Sequence, residues 1–192
     1  MRNRLLILGL AALLAGCAKP APKTTLQQFM EDKVNPAGEF LFHSVEQVSD
    51  AKGQSLRAPE TAEEWKKVSD SLAVLQGAPE LLTAKRLKAA PPGFKSEHPG
   101  IESPPEWIQQ TIDSHRDDFD KRALRLKAAA DKAAVAAQAH DARALFHALD
   151  GIDKACESCH LHYFYPGDTR AWQAAKEDGM TDRRGVFDDP QG

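Results

Sequence analysis

Two thiols and an imidazole stand together in Cys156-Glu157-Ser158-Cys159-His160. The spacing C-x-x-C-H is the attachment pattern of a c-type haem, and each residue type has a task in that chemistry. The thiols add across the two vinyl groups of the haem and become thioethers. The imidazole, one residue past the second thiol, reaches the iron from the proximal face. An iron held by His carries an electron or binds a small gas, according to what occupies its sixth position. Two other chemistries use such a pair. Zinc takes four ligands, usually from two pairs, and three cysteines in all leave no second pair. A thioredoxin-like redox pair sits in a βαβ setting, whereas both flanks here read as helix. One covalent haem c is the expectation.

The N-terminus says where such a haem would be attached. Arg2 and Arg4 precede the apolar run Leu5 to Leu14, which is too short to span a bilayer as a mature helix. It ends in Leu14-Ala15-Gly16-Cys17, which resembles a bacterial lipobox. That resemblance implies a signal peptide over 1–16, cleavage before Cys17 and lipidation of its thiol. Cys17 then takes lipid while Cys156 and Cys159 take haem, so the odd cysteine count leaves no stray thiol and no disulfide. Acyl chains, at about 0.8 kcal/mol per buried CH₂, would hold the protein to a membrane. Export and lipidation agree with c-type haem attachment outside the bacterial cytoplasm. Ala18 after Cys17 favours the outer membrane, the chain then facing the periplasm. An ordinary signal peptide cut near Ala15 or Ala18 is the alternative.

Residues 17–23, with Pro20 and Pro22, read as a lipidated tether. A single domain follows over 24–167 and a polar tail over 168–192. Without Arg2 and Arg4 the chain carries 23 cationic against 28 acidic side chains, a net charge of −5. This is no nucleic-acid footprint, and it is weakly suited to steering a basic redox partner.

Apolar residues recur at helical spacing throughout. A first helix is predicted over about Thr25 to Lys52, with Leu26, Phe29, Met30, Val34, Ala37, Leu41, Val45 and Val48 as its stripe and Pro36 kinking or splitting it. A second runs from about Pro59 to Ala89, opened by a Thr61–Glu64 capping box and broken near Gly77-Ala78-Pro79. A third starts at Ser103 or Pro104 and carries Trp107, Ile108, Ile112, His115, Phe119, Leu124, Leu126 and Val135. A fourth spans Asp141 to about Tyr165, stopped by Pro166-Gly167. The expected fold is all-α, an antiparallel four-helix bundle whose core holds the cofactor near one end.

A C-x-x-C-H box near the C-terminus of a helical chain resembles the cytochrome c-prime family. Met30-Glu31-Asp32-Lys33-Val34-Asn35-Pro36-Ala37, followed by Phe40 and Phe42, is similar to the first-helix pattern of a bacterial subgroup. The stretch His160-Leu161-His162-Tyr163-Phe164-Tyr165-Pro166 is similar to that subgroup's haem box and aromatic tail. The resemblance covers about Thr24 to Gly167 and implies a four-helix bundle with His160 as proximal ligand. It places Met30 opposite the iron as sixth ligand, an arrangement suited to electron transfer. Core filling is the ordinary use of such a Met. Members of the family are often dimers.

The expected function is that of a single-electron carrier, not an enzyme, with a redox protein as partner. An open sixth site binding NO or CO is the alternative. A structural lipoprotein whose box binds zinc or nothing is the further one. Phe29, Phe40, Phe119 and Tyr163 are candidate haem-packing aromatics. Lys154 and Arg143 are candidate partners of the propionates. His43, His98, His115, His140, His147 and His162 read as surface or supporting residues. Met180, in the tail, reaches the haem only if the tail folds over it.

Overall fold

The computed structural model describes residues 21–51, 53–96 and 99–167. The expected signal peptide, Cys17 and the tail with Trp172 and Met180 lie outside the described residues. The described chain is mostly helical, in keeping with an all-α class. None of its helices is long and apolar enough to cross a membrane.

The chain enters helix α1 (Leu26–Phe29) through a capping box, in which Thr25 and Gln28 each accept the other's backbone N–H. A π-helical turn, Met30–Val34, follows, and α2 (Asn35–Ser44) continues from it. The Leu26 and Gln27 amides, which lie in the first turn and so have no intrahelical acceptor, donate to the carbonyls of Lys88 and Ala89 at 2.8 and 2.9 Å. The start of the first helix is thus tied to a segment sixty residues away in sequence.

The helix does not continue to Lys52. It ends at Ser44, whose hydroxyl turns back onto the Leu41 carbonyl at 2.7 Å. Strands β1 (Glu46–Asp50) and β2 (Gly53–Arg57) then form an antiparallel hairpin, with Asp50 opposite Gly53 and Glu46 opposite Arg57. The three-residue step Val45 to Val48 fits a helix on paper. Tight turning at Gly53, with φ of +118°, and the Glu46–Arg57 and Gln47–Gln54 side-chain pairs favour the hairpin instead.

Helix α3 (Ala62–Leu82) opens with the expected Thr61–Glu64 capping box. It runs through Pro79 rather than breaking there. Proline removes one hydrogen bond near the helix end, and burial of Leu75, Ala78, Pro79 and Leu82 on one face outweighs it. Arg116 then donates to the Leu82 carbonyl at 2.6 Å and caps the end.

The third predicted helix is two, α4 (Pro105–Ser114) and α5 (Arg116–Gln138), separated at His115 (φ −124°, ψ 42°). The break rephases the stripe. Ile108, Ile112, Phe119 and Leu126 are buried as expected, while Trp107, Leu124 and Val135 are exposed. Ala123, Ala130, Ala133, Ala136 and Ala137 take the inner face, with Arg122 among them. Helix α6 (Ala142–Tyr163) is capped by Asp141, which accepts from the Ala144 amide at 2.9 Å.

Helix α5 packs along both α3 and α6, and α2 packs along α3. No comparable packing joins α2 to α6. The core follows this order, with Leu41, Val68, Leu72, Leu75, Leu145 and Ile152 fully enclosed. Leu72→Ala should cost about 2–5 kcal/mol in urea unfolding. Val135→Ala, at a site 69% exposed, should stay within about 0.5 kcal/mol of wild type.

Candidate functional site

Three of the chemical residues come from one face of α6. Cys156, Cys159 and His160 stand at i, i+3 and i+4, the spacing that stacks side chains on one side of a helix. The helix ends directly beyond them: the His160 carbonyl accepts from the amides of Phe164 and Tyr165 at 2.8 and 2.9 Å. The rings of Phe164 and Tyr165 meet the imidazole edge-on, at 5.7 and 5.9 Å. The Ser103 amide donates to the Phe164 carbonyl at 2.8 Å and straps the Pro-rich loop to this end of α6. His160 Nδ1 lies 3.9 Å from Glu157, too far for a hydrogen bond.

The first helix supplies the opposing face. Leu26, Met30, Val34, Gly38 and Phe42 all line the cavity that faces Cys156, Cys159 and His160. In an α-helix, residues four apart drift by about 40° per step, or about 160° across this row. The π turn at Met30–Val34 holds one extra residue and takes back about 100° of that drift. Pro36 accounts for the turn, having no N–H for the Asp32 carbonyl. The Asn35 amide reaches past to Met30 instead.

The cavity has a volume of about 400 Å³, within the range of small-molecule and cofactor sites. Its walls are mainly apolar, with Leu75 from α3, Phe119 and Leu126 from α5, and Ile152 from α6. Burial pushes the Cys156 thiol up to about 12, with help from Asp153 and Glu157. Burial likewise pushes the Cys159 thiol up to about 12, against the pull of Arg122. Such thiols stay neutral at physiological pH, unlike the low-pKa thiolates of reactive redox pairs. No βαβ setting surrounds the pair, which sits within a helix of 22 residues. Among the described residues, no group of three or more His, Cys, Asp or Glu side chains is placed to hold a metal ion. An apolar cavity with two neutral thiols and one imidazole on one wall, and a thioether on the other, fits a covalently attached haem.

Behind the second thiol lies a charged group that periodicity alone did not single out. Arg122 of α5 is buried, and its Nε donates to Asp118 Oδ2 at 2.6 Å. Its Nη1 donates to the Ser158 carbonyl, between the two cysteines, at 3.1 Å. The Tyr163 hydroxyl donates to the same Asp118 oxygen at 2.9 Å. Burial opposes ionisation of Asp118, but these two donors, the Arg122 charge and His162 together hold its carboxyl below the ordinary value. The signal was present in the sequence: Arg122 lies three residues after Phe119 and four before Leu126, on the apolar stripe, with Asp118 one turn back.

All four predicted site residues of the domain thus line one cavity: Met30, Cys156, Cys159 and His160. Of the candidate aromatics, Phe119 lines it. Phe40 is exposed, and Tyr163 is buried beside Asp118. Phe42 and Phe164 line the cavity in their place. Lys154 pairs with Asp150 at 3.1 Å. His43 pairs with Glu46, and His140 stacks on Trp65 at 4.8 Å.

The raised thiols give a stability prediction for protein whose cysteines carry no thioether. Above the ordinary cysteine value of 9.0 the unfolded chain loses protons that the folded chain keeps until about 12. Folding stability should therefore fall as pH rises through that window, by up to about 1.4 kcal/mol per pH unit for each thiol. The double variant C156A/C159A should lack this slope in urea titrations between pH 9 and 10, below the range in which the raised Tyr163 and Tyr165 hydroxyls add their own.

No family model, curated protein or solved structure matches the chain.

Proposed function

We propose that the chain is a c-type cytochrome of the c-prime kind, a four-helix bundle that carries single electrons. The observation that carries this reading is the shared cavity of Met30, Cys156, Cys159 and His160. The packing order α2, α3, α5, α6 supports a bundle whose remaining seam, between the first helix and α6, is the cofactor site. Haem, when attached there, supplies a one-electron iron couple. Cys156 and Cys159 hold it through two thioethers, and His160 offers its imidazole from the α6 side. Met30 offers a thioether from the π turn. Leu26, Val34, Phe119, Leu126 and Ile152 keep water from the site. The chain works on no organic substrate and exchanges electrons with a redox protein. A lipid on Cys17 would hold it to a membrane outside the bacterial cytoplasm, the outer membrane being favoured.

The absorption spectrum of the purified protein tests this, recorded oxidised, then reduced with dithionite, then with CO. Sharp reduced bands and no response to CO are expected of wild type. Met30→Ala should give a broad high-spin spectrum that shifts on adding CO, with a lower reduction potential. A wild-type protein that already binds CO would remove Met30 as ligand and favour a five-coordinate, gas-binding protein.

A further inference from the structure

The Arg122 guanidinium is the one charge that the apolar stripe of α5 carries into the core. Stability alone does not explain it. A buried ion pair is often no better than apolar residues of equal volume, because both charges must leave water. This pair is also asymmetric. The Arg122 side chain is 0% exposed, while Asp118 keeps 25% of its surface in solvent. Arg122 lines the cavity, and Asp118 stands behind it. Tyr163 completes the cradle, with its hydroxyl on Asp118 and its ring 5.9 Å from the guanidinium carbon. Water therefore screens the negative end of the pair and not the positive end. The positive end is fixed to the Ser158 carbonyl, one residue before Cys159.

We propose that Arg122 is a positioning residue that sets the reduction potential of the site, its clamped positive charge favouring the reduced state of a group held by Cys156, Cys159 and His160. The inference rests on the haem reading above. Reduction takes one electron from a soluble one-electron mediator and converts ferric to ferrous iron, lowering the charge in the cavity by one. No proton moves at Arg122. A fixed cation in an apolar cavity is weakly screened, so it stabilises the less positive state. Asp118 and Tyr163 hold the guanidinium in place, and the contact with Ser158 fixes its distance from the attachment turn.

The test is a mediated redox titration of the full chain, preceded by the alkaline pyridine spectrum that reports covalent haem. R122Q should lower the ratio of reduced to oxidised protein at a given applied potential by roughly tenfold, a midpoint about 59 mV lower. R122K, which keeps the charge, should recover most of that shift. D118N, which keeps an acceptor for Arg122 but removes the opposing charge, should move the midpoint upward. A purely structural role would lower the melting temperature of R122Q and R122K alike and leave both midpoints at the wild-type value; that result overturns the inference. Should R122Q hold no haem, D118N decides: a higher midpoint supports the inference, and an unchanged or lower one overturns it. Haem covalently present with unshifted midpoints removes this inference alone. A wild type without covalent haem removes the functional reading and this inference together.

Discussion

Pro36 has no amide proton for the carbonyl one turn before it, and the geometry of the site follows from how the first helix absorbs that loss. A proline inside a helix usually kinks it. Here the chain widens one turn, Met30–Val34, and resumes as α2. The widened turn keeps Leu26, Met30, Val34, Gly38 and Phe42 on the cavity side. With regular α geometry throughout, the two ends of this row would face nearly opposite directions. The wall that faces Cys156, Cys159 and His160 runs unbroken from Leu26 through Met30 to Phe42 because of a backbone irregularity about thirty residues into the chain.

Helix α6 is the fixed partner in this arrangement. It is capped at Asp141, packed along α5, and tied near its end by the Ser103 amide and the Arg122 side chain. The first helix is held from its other side, by α3 and by the carbonyls of Lys88 and Ala89. Neither helix depends on the other for its placement, so a cofactor-sized gap can persist between them. On the proposed reading, a haem joined covalently to α6 fills that gap and meets the first helix through Met30.

Much of this was legible in the sequence. The C-x-x-C-H spacing needed no structure, and the buried face of α3 follows directly from its periodicity, with Trp65, Val68, Leu72 and Leu75 on it. That of α6 follows in part, since Leu145, Ile152 and Tyr163 are buried at helical spacing while Ala144 is exposed. The Thr61 capping box was likewise plain. The hairpin is hidden because the three-residue step from Val45 to Val48 is helical, and cross-strand pairs such as Glu46–Arg57 become visible only in three dimensions. The division of the third helix was missed because His115 carries no helix-breaking chemistry of its own. Its placement is tertiary, with the Tyr163 hydroxyl 3.2 Å from its carbonyl. Pro36 announced an irregularity, but whether it becomes a kink, a split or a π turn is decided by what the two ends of the helix pack against. Arg122 is hard to read from sequence because a cation ordinarily belongs on the solvent face, whereas here it is buried.

On the proposed reading, Cys156 and Cys159 are both joined to a haem. The mass of the intact protein from a bacterium equipped for cytochrome c maturation, measured under denaturing conditions, tests it most directly. A single species heavier than the processed, lipidated polypeptide by one haem is expected, with both cysteines refusing alkylation. A polypeptide at its bare mass, with both thiols open to alkylation once unfolded, would contradict it.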